Sequence, residues 1–159
     1  MENLIHSPTG GVHLAAAILA MIFGTAILMM TKGTKKHKQV GYLYAISMFV
    51  MLTTSFFMYG LFGGFGVFHV ASIFSSLTLL GGMVPIWRKK PIKTYRSYHF
   101  SFMYWSVIGL YAAFFSEVFT RVPTTPFFGM VGIATFATCG IGALVFKKKK
   151  KEWQRAFGE

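Results

Sequence analysis

Between residues 40 and 87 the chain carries no Asp, Glu, Lys or Arg. An α-helix crosses a hydrocarbon core of ~30 Å with about 20 residues, so this one stretch has room for two crossings. Gly60, Gly63, Gly64 and Gly66 interrupt it near the middle, and it reads as two spans joined by a tight glycine turn. Three more uncharged runs follow the same logic. The spacing predicts an all-α polytopic membrane helix bundle, a single membrane domain over 1–159 with five transmembrane helices at approximately 10–31, 40–62, 67–87, 97–119 and 127–146. Pro123 and Pro126 break the chain between the last two. The composition agrees: 54% of residues are hydrophobic and 13% charged, where a soluble domain carries about a quarter charged.

The basic residues set the orientation. Of the 16 Lys and Arg, all except Arg121 fall at 32–38, at 88–96 or in the tail from Lys147. Cytoplasmic flanks hold the Lys/Arg excess, so the three clusters predict an N-terminus outside, a C-terminus in the cytoplasm and a multi-pass protein of the cell inner membrane. Trp87, Tyr95, Tyr98 and Trp153 stand at the basic ends, where an interfacial aromatic belt belongs. A net charge of +12 in a soluble protein suggests nucleic acid; here the clusters lie between apolar runs, and the partner they imply is a bilayer with anionic headgroups, with no nucleic acid. The head before residue 10 lacks the basic start of a cleavable signal, so the first span reads as retained. Cys139 is the single cysteine and offers neither a disulfide nor a metal spacing.

Ionisable side chains inside spans are costly and point to function, and the histidines are distributed in a regular way. His13 lies near the outer end of the first span, His37 at the inner start of the second, His69 near the outer end of the third and His99 at the inner start of the fourth. Helical periodicity puts His13 on one face with Ala17, Ala20 and Gly24, and His69 with Ser72 and Ser76. His99 and Glu117 lie a whole number of turns apart on one stripe. His37 sits among Lys35, Lys36 and Lys38, where a solvated or phosphate-facing side chain is the plainer reading, and His6 lies in the exposed head.

One histidine per helix, alternating outside and inside, resembles the two-haem transmembrane cytochromes b, including ascorbate-reducible cytochromes and ferric reductases. That resemblance implies a haem b held by His13 with His69 and a second by His37 with His99. The small-residue first span bearing His13, the basic stretch with His37, Gly41 and Tyr44, and the later span with His99 also resemble an uncharacterised bacterial membrane-protein family known only as a domain of unknown function. The second resemblance implies the architecture and no activity.

Three functional expectations stand side by side. The first is a b-type haem electron-transfer protein or membrane reductase, exchanging electrons with a quinol, with Arg121, Lys35 or Arg96 near propionates and Glu117 accepting a proton. The second is a non-enzymatic accessory subunit of a larger membrane complex, its histidines serving as polar glue between helices. The third is a metal site in which His13, His69 and Glu117 hold iron or zinc. No phosphate-binding glycine loop, GxSxG or HExxH is present and the chain has no Asp, which argues against nucleotide and hydrolase chemistry.

Overall fold

The computed structural model describes residues 7–59, 63–90, 94–121 and 126–156. These form five α-helices: α1 (Pro8–Met29), α2 (Lys35–Ser55), α3 (Val67–Arg88), α4 (Tyr95–Phe119) and α5 (Phe127–Ala156). Among the described residues, four stretches are long and apolar enough to cross a membrane: Pro8–Met29, Val67–Arg88, Tyr95–Phe119 and Phe127–Lys149. The helix α2 differs because its first turn is lysine-rich and its last is Thr53, Thr54 and Ser55. The chain is an all-α polytopic membrane protein.

Helix boundaries follow local chemistry. Ser7 caps α1 by accepting from the Gly10 N–H at 3.1 Å, and Pro8 occupies the first turn, where its missing N–H costs nothing. At the other end the Lys32 ammonium reaches back to the Ile27 and Leu28 carbonyls, the latter at 2.9 Å, closing acceptors that the helix leaves open. Burial holds the Lys32 amine below the ordinary lysine value. Thr34 caps α2 through the His37 N–H at 3.1 Å, so this helix starts at Lys35, ahead of the expected 40. It ends at Ser55, and 60–62 lie outside the described residues. The helix α5 also departs from expectation. It does not stop at 146 but continues through the lysines at 147–151 to Ala156, because lysine is a good helix former and a charge run ends a span without ending a helix.

Two compact units divide the chain, one running to Leu79 and one from Leu80, with the boundary inside α3. In the first, α1 packs on α2. Small residues of α1, Ala16, Ala20 and Gly24, are buried, and α2 buries the larger Tyr44, Met48, Met51 and Leu52. Ser55 at the end of α2 donates to Ser72 Oγ of α3 at 2.8 Å, and Ser72 passes its own proton to the Phe68 carbonyl at 2.9 Å. Val12, Ile18, Leu19 and Ile22 of α1 remain exposed, an apolar outer face that lipid solvates and water would not.

In the second unit α4 packs on α5, with Met103, Tyr104, Val107, Leu110 and Ser116 buried along α4. Tyr104 Oη donates to the Gly142 carbonyl at 2.7 Å, and its ring meets Phe146 at 5.1 Å. A Cβ at Gly142 would lie 2.8 Å from Ile108 Cγ2. Ile108 is β-branched and stiff at χ1, so it cannot swing aside cheaply. Tyr104→Phe is therefore expected to cost about 0.6 kcal/mol and up to ~1.7 kcal/mol through the lost interhelical hydrogen bond, and Gly142→Ala about 1–3 kcal/mol through overpacking. Thermal unfolding in detergent checks both, and an unchanged midpoint for both would show that this contact does not hold α4 to α5.

Candidate functional site

Each histidine predicted to face inward has a distinct set of hydrogen bonds, and those bonds fix where its proton sits. His13 lies in the second turn of α1 and points at the last turn of α2. Its Nδ1 is 3.0 Å from the Met51 carbonyl and 3.1 Å from Thr54 Oγ1. A carbonyl only accepts, and Thr54 directs its proton to the Val50 and Met51 carbonyls at 2.8 and 2.9 Å. So Nδ1 of His13 is the donor, and in the neutral ring Nε2 carries the lone pair.

His99 repeats this arrangement in the other unit. Its Nδ1 donates to the Gly82 carbonyl of α3 at 2.7 Å. The local sequence explains the approach: a Cβ at Gly81 would meet the Phe102 ring at 2.7 Å and one at Gly82 would meet Met103 Sδ at 2.5 Å, so only glycines let α4 come this close. Pro85, one turn on, has no N–H to give the Gly81 carbonyl and crowds the turn behind it. Donors from neighbouring helices commonly serve backbone acceptors beside such a proline in membranes.

His69 has the opposite tautomer. It stands three residues beyond Gly66, whose N–H donates to His69 Nδ1 at 3.1 Å, while the His69 N–H returns to the Gly66 carbonyl at 3.0 Å. The pair is a reciprocal cap at the start of α3. Because Nδ1 accepts, the proton is on Nε2. That N–H is buried and has no partner among the described residues. The residue is only 4% exposed, and its ring stacks with Phe65 at 4.9 Å and Tyr59 at 5.1 Å, with Phe56 tilted at 6.3 Å.

His37 is half-buried in the first turn of α2, a helical residue and not a loop one. The Glu117 carboxylate pairs with Arg121 four residues on in an exposed ion pair. Among the described residues no three of His, Cys, Asp or Glu gather to hold a metal ion. His6 lies outside the described residues.

Periodicity along the chain placed His13, His69 and His99 on inward faces but carried no trace of their bonding. The partners of His13 and His99 are main-chain carbonyls, which leave no side-chain signature. The Gly66 cap was readable, since Gly66 and His69 stand at the capping-box spacing before an apolar run, as was the density of aromatics from Phe56 to Phe68.

A family model described as "Predicted membrane protein (DUF2306)" matches residues 10–148. The chain belongs to this family. The match takes in the four membrane-length stretches except Pro8 and Thr9 of the first and Lys149 of the last, and agrees with an inner- or plasma-membrane location. No curated protein and no solved structure matches it.

Proposed function

We propose that this DUF2306 chain is a membrane electron-transfer protein that carries a b-type haem on His99 and exchanges electrons with a quinol. The observation that carries the reading is the 2.7 Å bond from His99 Nδ1 to the Gly82 carbonyl. A histidine that ligates a metal through Nε2 almost always donates its other N–H to a carbonyl or carboxylate, which fixes the tautomer and raises the basicity of the ligating nitrogen. His13 has the same preparation and fits an axial ligand equally. His69 does not fit in this arrangement, because its Nε2 bears the proton. His37, the other member of the expected inner pair, lies in the first turn of α2, in the other compact unit. When bound, the haem supplies one-electron transfer at iron, with a potential set by axial ligands and their hydrogen bonds. The chain's own part is to orient the His99 imidazole and to keep its Nε2 unprotonated. Purified protein is expected to show a Soret band with an α-band on dithionite reduction; a colourless, porphyrin-free protein sinks this reading.

In this reading all five helices span, with the N-terminus outside and the C-terminus in the cytoplasm beside anionic headgroups. What supports it is the basic clustering, in which Arg121 alone stands apart. A cysteine at Arg121 in a Cys139→Ser background is expected to react with an impermeant maleimide on intact cells, and one at Lys36 is not. Reaction of the Lys36 site from outside reverses the orientation.

A second reading, an accessory subunit with structural histidines, is favoured by one observation. The bonds of His13 to Met51 and Thr54 already tie α1 to α2 without a cofactor. A folded, cofactor-free protein that co-purifies with a stoichiometric partner would establish it.

A further inference from the structure

Buried N–H groups without an acceptor are rare in folded proteins, and each one calls for an explanation. Among the described residues, His69 Nε2–H is such a group. Its cap to Gly66 leaves no freedom to move the proton to the other nitrogen, since Nδ1 is already an acceptor. Whatever satisfies Nε2 must therefore accept a hydrogen bond. The described neighbours of the ring are the aromatics Phe56, Tyr59 and Phe65 and no charged group, so an anion would be desolvated there without a counter-charge. A neutral acceptor on a flat, apolar frame suits the lining, because aromatic rings stack on one another in offset fashion.

Access is local. Tyr59 is 49% and Phe65 62% exposed, so both rings that stack with His69 also meet the surroundings.

We propose that His69 Nε2–H is the hydrogen-bond donor for a carbonyl oxygen of a quinone-class ligand whose ring stacks with Tyr59 and Phe65. This rests on the redox reading above and gives it a substrate site. The ligand class is both membrane-soluble and acceptor-only in its oxidised form, which matches a buried donor at the end of an apolar helix.

The full-length protein in nanodiscs is titrated with decylubiquinone, with no electron transfer required, and compared with His69→Phe, which keeps a stacking ring and removes the donor, and His69→Gln, which places an amide N–H near the position of Nε2. Wild type is expected to bind saturably, His69→Phe to bind about tenfold more weakly, the value of one lost hydrogen bond, and His69→Gln to stay within about threefold of wild type. Where His69→Phe fails to fold, the ¹⁵N-labelled His69 Nε2–H resonance of wild type decides, and it is expected to move on addition of decylubiquinone. No saturable binding by wild type, equal binding by His69→Phe, or a resonance that stays in place overturns the proposal, the last two marking the orphan donor as one served by water. Haem without quinone binding sinks this inference and the quinol exchange but leaves the haem on His99, and quinone binding without haem sinks the haem reading alone.

Discussion

If His99 ligates a haem as proposed, His99→Ala is expected to leave the protein folded and to lower bound porphyrin at least about tenfold relative to wild type. The two effects separate because the side chain contributes one hydrogen bond to stability, about 0.6 kcal/mol and up to ~1.7 kcal/mol in a membrane interior, whereas an axial ligand is an obligatory part of the site. The bond runs from Nδ1 to Gly82, so His99→Asn, whose amide N–H stands near the position of Nδ1 but which provides no imidazole, is expected to recover stability and not haem. Visible spectra and thermal unfolding on the same samples check this. Full haem retention by His99→Ala removes His99 from the account.

Gly82→Val is expected to combine both losses. Its Cβ would start 2.5 Å from Met103 Sδ and 2.8 Å from Met103 Cγ, with the Met103 backbone N at 3.4 Å. Met103 is buried, so its side chain must repack or α4 must shift. Overpacking of this kind costs about 1–3 kcal/mol, and a shift of α4 also draws His99 away from the carbonyl that orients it. Gly109 makes the control: a Cβ there meets nothing within 4 Å, and Gly109→Ala is expected to be neutral or slightly stabilising, since alanine is the better helix former. Melting temperatures of the two variants should diverge. If they coincide, the close approach at Gly82 has no energetic weight.

The parts of the fold that hydropathy controls were legible in the sequence. Long apolar helices were expected from the uncharged runs, and α3, Val67–Arg88, and α4, Tyr95–Phe119, are two of them. The parts controlled by capping and propensity were less so. Thr34 started α2 five residues before its apolar stretch, and the lysines after Phe146 prolonged α5 instead of closing it. The site divides in the same way. Ala20 and Gly24, on the face predicted for His13, are buried, because helical period is a property of side-chain order. The roles of the histidine nitrogens depend on backbone atoms of other helices, Met51 and Gly82, or on the local turn at Gly66. Glu117 shared a stripe with His99, yet its carboxylate takes Arg121; an (i, i+4) ion pair competes with any more distant partner.

The central claim is that hydrogen bonding sorts these histidines into ligand-ready rings and a donor. Solid-state ¹⁵N NMR of histidine-labelled protein in bilayers reads it directly, with His13→Phe, His69→Phe and His99→Phe assigning the signals. The account predicts protonated Nδ1 and bare Nε2 for His13 and His99, and bare Nδ1 with protonated Nε2 for His69. A protonated Nε2 on His99, or a protonated Nδ1 on His69, would contradict it.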